Sequence, residues 1–201
     1  MKKHAKDCST VMKKTGITPR RFNDRAEWRR WLQDNFDRAS EVWFVFPLKS
    51  ANERGIPYND AVEEALCFGW IDSTVRALGE NHKMQRFSPR KHGSGYSQAN
   101  KERLRRLADK GMIQPCVTER VLPILNEEFV YPKDIIDAVK ANASAWENFR
   151  QFSDSYKRIR IAYIDAARKR PDEFQRRLKS FIDKTQKGVL IRGYGGIEEY
   201  Y

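Results

Sequence analysis

The stretch Trp70 to Pro89, WIDSTVRALGENHKMQRFSP, decides the class of the fold. WIDSTVRAL and KMQRFSP each have strand composition, and Gly79-Glu80-Asn81 between them reads as a hairpin loop. Upstream, Val42 to Phe46 (VWFVF) is apolar on both alternate sets, which predicts a strand covered on both faces and ended by Pro47. Between strand and hairpin, Tyr58 to Phe68 (YNDAVEEALCF) has helical spacing, with Ala61, Val62, Ala65 and Leu66 as its buried seam. Gly69 follows at the place of a left-handed C-cap.

Further upstream, NDRAEWRRWLQDNF predicts the first helix. Asp24 can cap it, Glu27 three residues on can close a capping box, and Trp28, Trp31 and Leu32 share one face. Downstream, Ser97 caps a helix that turns Leu104, Leu107 and Ala108 inward and stops at Gly111. From Pro115 onward the pattern is helical only, near 117–127, 133–140, 142–151, 154–169 and 172–187. Pro171 sits in a first turn, where its missing N–H costs nothing. The expected architecture is α+β: a small sheet with a β-hairpin packed by helices, then an all-helical C-terminal region. The boundaries are a basic tail over 1–19, the α+β domain over 20–118, the helical region over 119–188 and a flexible Gly- and Tyr-rich tail over 189–201.

A chain of 201 residues with five Trp has the length and apolar content for a packed core. No run approaches 18 apolar residues, which excludes a membrane-spanning helix. A net charge of +12 points toward anionic partners. That charge comes in blocks: residues 1–30 carry +7, residues 31–81 carry −5 and residues 82–118 carry +7. The three cysteines, Cys8, Cys67 and Cys116, have no CxxC spacing, so neither a disulfide scaffold nor a zinc finger is expected. The N-terminal MKKHAKDCSTVMKKTG has charge but no apolar segment, and a cytoplasmic location is the expectation.

The run ALCFGWIDSTVRALGENHKMQRFSPRKHGSGYSQANKERLRRLADKGMIQP resembles the bacteriocin-protection, YdeI/OmpD-associated family. The flanks EWRRWLQDN and NASAWENFRQFSDSYKRIRIAYIDAARKR extend the resemblance over residues 22 to 187. Two positions depart from the family pattern. Tyr96 stands where a Trp is usual, and Pro171-Asp172-Glu173 stands where the last helix usually opens with Thr-Arg. The resemblance implies a link to bacteriocin resistance and to a porin, a two-part chain with a C-terminal helical module, and no established catalytic residues.

The most suggestive chemistry lies in RFSPRKHGSGYSQAN. A Ser97-capped helix presents free N–H groups and a partial positive charge at its start. Arg86, Arg90 and Lys91 are close by in sequence, and Gly93 and Gly95 permit close approach of a ligand. Arg86, Arg90, Lys91, Ser94, Ser97 and Asn100 are therefore an anion-binding set, with Trp70, Asp72 and Tyr96 as pocket lining. The competing reading has the serine and asparagine as helix caps and the arginines paired with acids such as Asp72. Trp70 and Asp72 point to one strand face and can flank a pocket opposite Arg86. One carboxylate without a nucleophile makes a poor catalyst, however. Cys67 is expected to be buried and inert, and with His82 and His92 it forms no metal-ligand spacing. KERLRR, KRIR, RKR and RRLK load the helices over 97–110 and 154–187 with charge, either as solvated faces or as a phosphate-backbone track.

The expectation is thus a non-enzymatic, cytoplasmic, stress- or resistance-associated protein without a cofactor. It would bind an anionic small molecule or polyanion at Arg86–Asn100. The alternatives are a sequence-tolerant nucleic-acid-binding module and a small enzyme centred on Trp70, Asp72 and Arg86.

Overall fold

The computed structural model describes residues 17–192. Most of the basic tail, including Cys8, and all but the first four residues of the expected C-terminal tail lie outside the described residues. In chain order the elements are α1 (Arg25–Asn35), β1 (Val42–Pro47), a 3-10 turn (Lys49–Ala51), α2 (Tyr58–Cys67), β2 (Trp70–Leu78), β3 (His82–Pro89), α3 (Gln98–Asp109), α4 (Pro115–Leu125), α5 (Lys133–Lys140), α6 (Ala143–Gln151), α7 (Asp154–Asp165) and α8 (Pro171–Thr185). The architecture is α+β with C-terminal helices, as the hairpin required.

The chain divides into two compact units, one of Met1–Gly95 with Leu107–Val121, the other of Tyr96–Arg106 with Leu122–Tyr201. In the first, the three strands are antiparallel in the order β1-β3-β2. Trp43 lies opposite Arg86 and Val45 opposite Met84. The β2–β3 register slips between Asp72 and Val75. Residue 20 covers part of the open β1 edge, donating from Arg20 N to Trp43 O at 2.7 Å and accepting from Val45 N at 2.8 Å.

β1 is buried on both faces, as its doubly apolar pattern demands. One face packs Phe44 and Phe46 with Trp28 of α1 and Phe87 of β3. Trp43, Val45, Leu78 and Met84 form a second cluster. Asp24 caps α1 by accepting from Glu27 N at 2.8 Å. The return bond of the box lands one residue early, from Asn23 N to the Glu27 carboxylate at 2.7 Å. Three Arg–Glu pairs then clamp α1 to α2. Glu64, only 1% exposed, accepts from Arg25 at 2.5 Å and from Arg29 at 2.6 Å, and Glu63 accepts from Arg25 at 2.8 Å. A carboxylate this deep is tolerable only because two guanidinium groups meet it.

In the second unit, Ile135, Val139, Phe149, Tyr156, Ile164 and Phe181 form the core among α5–α8. Asn142 caps α6 through Ala145 N, and Ser153 caps α7 through Tyr156 N. α7 ends at Asp165 rather than near 169. Beyond it the chain tightens into i→i+3 bonds, from Ala167 N to Ile164 O and from Arg168 N to Asp165 O, before Arg170 leaves helical space ahead of Pro171, at φ −130 and ψ 84. Glu102, on the first turns of α3, is 4% exposed and fully engaged. It takes two bonds from Arg158 at 2.8 and 2.7 Å, one from Arg105 at 2.8 Å and one from Gln98 at 2.7 Å.

Candidate anion-binding cleft

The loop that looked most basic in sequence satisfies most of its own polar groups. Arg86 donates to Glu41 at 2.6 Å, so its partner is a carboxylate ahead of β1 and not Asp72. The Arg90 guanidinium donates to the Gly95 carbonyl. Ser94 Oγ donates to Lys91 O at 2.7 Å. Ser97 accepts from Asn100 N at 3.3 Å, and Asn100 Oδ1 accepts from Arg103 at 2.8 Å. Lys91 is exposed. The six residues also divide between units, with Arg86, Arg90, Lys91 and Ser94 in the first and Ser97 and Asn100, like Tyr96, in the second.

Trp70, Asp72 and Cys67 have separate duties. Asp72 accepts from Tyr58 Oη of α2 at 2.8 Å and from Gln85 Nε2 of β3 at 2.5 Å. Cys67 is buried, and burial together with the nearby Glu64 charge pushes its thiol up to about 12. That matches the inert reading. Trp70 does line a cleft, but Asp72, Arg86 and Cys67 do not share its wall.

The arginines converge elsewhere. A cleft of about 280 Å³ on the second unit is walled by Arg160, Tyr163, Arg176, Arg177, Ser180 and Arg192, with Ile164, Phe181 and Ile191 as its apolar base. Helical spacing explains the assembly. Arg160, Tyr163 and Ile164 are at i, i+3 and i+4 of α7, and Arg176, Arg177, Ser180 and Phe181 follow the same stripe on α8. Arg160 is 4% exposed, lies 5.7 Å from the Tyr156 ring and donates to Ile191 O. Ile191 N in turn donates to Tyr156 Oη at 3.0 Å. Burial pushes the Tyr156 phenol above its ordinary value, so it remains a neutral partner at pH 7. This double hold on Ile191 brings Arg192 to the cleft.

Arg177 lies over the Tyr163 ring at 3.7 Å and donates to Tyr163 O at 2.6 Å. Glu173 accepts from Arg177 at 2.6 Å and from Arg176 at 2.8 Å. Arg177 and then Arg176 hold the Glu173 carboxyl below its ordinary value. One carboxylate thus serves two guanidinium groups, while Arg192 makes no ion pair among the described residues. The paired i, i+3/i+4 stripes were visible in the sequence; the arrival of Arg192 was not.

Many other basic side chains of the helices are already matched. Arg158 pairs with Glu102, Lys157 with Asp154, and Arg168 with Asp134 and Asp165. Among the described residues there is no cluster of His, Cys, Asp or Glu able to hold a metal ion. Nor is any helix among them long and apolar enough to cross a membrane.

Residues 20–120 match the family model described as Domain of unknown function (DUF8412). Residues 128–188 match the one described as Bacteriocin-protection, YdeI or OmpD-Associated. The resemblance read across 22–187 is therefore carried by the C-terminal helices, while the α+β half matches a model of its own. No curated protein and no solved structure matches the chain.

Proposed function

With a chain that belongs to the DUF8412 family over half its length and carries the YdeI-type helical module, we propose a non-enzymatic, bacteriocin-protection-associated protein of the cytoplasm. Its helical module binds a small phosphate-type anion. The observation that carries this reading is the convergence of Arg160, Arg176, Arg177 and Arg192 on one cleft. Guanidinium forks match phosphate oxygens in pairs, and burial and stacking hold Arg160 and Arg177 in place before a ligand arrives. The cleft volume sits near the lower end of the ~300–1,000 Å³ usual for small-ligand sites.

The lining contains no His, Cys, Asp or Glu, which disfavours acid–base or thiol chemistry there. A free anion fits better than a nucleic acid track, because so many of the helical Lys and Arg side chains are matched by carboxylates. The cytoplasmic setting rests on free cysteines without a pairing pattern.

The test is an NMR titration of the isotopically labelled protein with pyrophosphate. Saturable shifts confined to α7, α8 and residues 189–192, weakened by salt, are expected. Shifts confined to residues 86–100 would return the site to the loop, and no saturable shift at low salt would end the reading.

A further inference from the structure

A second cleft, of about 390 Å³, lies wholly on the first unit and has a different chemistry. Its walls are Phe36, Phe68, Trp70 and Pro89, with Cys116 and Arg120 supplied by α4. The aromatic wall is fixed. Trp70 is 1% exposed and its indole N–H donates to Phe36 O at 3.0 Å. The Phe36 and Phe68 rings are 5.6 Å apart.

Gly69 makes the room. It adopts φ 72 at the end of α2, and a methyl group there would collide with the Arg120 guanidinium. The start of α4 is tied to the end of α2 by Gln114 N donating to Cys67 O at 3.0 Å. Arg120 therefore reaches the cleft over a bare backbone. It is exposed and makes no ion pair among the described residues. Asp37 stands at the rim.

We propose that this cleft binds a small aromatic monocarboxylate. The ring lies against Phe36 and Pro89, over a floor closed by the buried Phe68 and Trp70, and the carboxylate pairs with one fork of Arg120. Asp37 works against a second negative charge, so a dianion such as phosphate is a poor occupant. The apolar wall favours a ring over a bare anion. This site is separate from the arginine cleft of the helical module and stands whether or not that cleft binds anions.

Indole-3-acetate is the probe, with indole and inorganic phosphate as controls. Calorimetry on the full chain should give saturable binding of indole-3-acetate, about tenfold weaker or more for indole and for the Arg120→Gln protein. Cys116→Phe, an exposed position, should fill the cleft and abolish binding with the circular dichroism spectrum unchanged. In the wild-type protein, saturating indole-3-acetate should also slow alkylation of Cys116 by iodoacetamide at least about fivefold, located by peptide mass mapping. No saturable binding, equal affinity in Arg120→Gln, or an unchanged alkylation rate would overturn the proposal. Should Arg120→Gln fail to fold, the wild-type protection experiment decides alone.

Discussion

The guanidinium of Arg177 lies over Tyr163, 3.7 Å from the ring centroid, while its Nε donates to Glu173 at 2.6 Å. This places one planar fork of the arginine cleft before any ligand binds. Stacking of this kind contributes about 0.5–1 kcal/mol at exposed sites and about 2 when desolvated. Tyr163→Leu should therefore weaken pyrophosphate binding roughly three- to tenfold. Its melting temperature should move little, because Tyr163 is only half-buried. Calorimetry and thermal melts on the same samples check both halves.

Glu102 should matter far more to folding than any surface charge. It is buried, and its two oxygens receive Arg158 twice, Arg105 once and Gln98 once. Glu102→Ala leaves guanidinium groups half-buried without a counter-charge, at an expected cost of about 3–5 kcal/mol in urea unfolding. Replacing Glu102 and Arg158 together by Met should recover at least half of that loss.

The Glu41–Arg86 pair sets a small acid-limb effect. The Arg86 guanidinium, then the Trp43 indole N–H, hold the Glu41 carboxyl below its ordinary value. A carboxyl depressed in the folded state adds stability above its unfolded pKa and loses it as pH falls through the folded one. Glu41→Gln should thus be less stable than wild type near pH 7, by under about 1 kcal/mol because both partners are partly solvated. The gap should close below about pH 4. Urea titrations at several pH values measure it.

Gly69→Ala tests how the aromatic cleft is built. An L side chain at φ 72 costs about 1–2 kcal/mol, and the new methyl must also displace Arg120. A loss of about 1–3 kcal/mol is expected, together with weaker indole-3-acetate binding. A thermally neutral Gly69→Ala protein would show that Arg120 has no fixed place over the glycine.

Much of the fold was legible because its determinants are local. The Gly79-Glu80-Asn81 loop, the Asp24 cap and the doubly apolar VWFVF each state their structure within a few residues. The charge assignments were less legible because they depend on distant partners. Arg86 looked available beside Arg90 and Lys91, yet β3 pairing with β1 brings it to Glu41, 45 positions away in sequence. Asp72 shares a strand with Trp70, but Tyr58 and Gln85 claim its carboxylate. The arginine cleft was hidden for a similar reason. Arg192 belongs to a segment that looks like loose tail, and only the grip of Arg160 and Tyr156 on Ile191 delivers it. Arg120, a lone arginine on its helix, gives no signal in the sequence until Gly69 is placed beneath it.

The most direct test is calorimetric titration of pyrophosphate into the wild-type protein and into a variant carrying Arg176→Gln with Arg192→Gln. Both positions sit on the cleft, and Arg176 is largely exposed, so the fold should persist. The wild type should bind one equivalent, and the double variant should bind at least about tenfold more weakly. Equal affinity in the two proteins, or no heat of binding to either at low salt, would contradict the account.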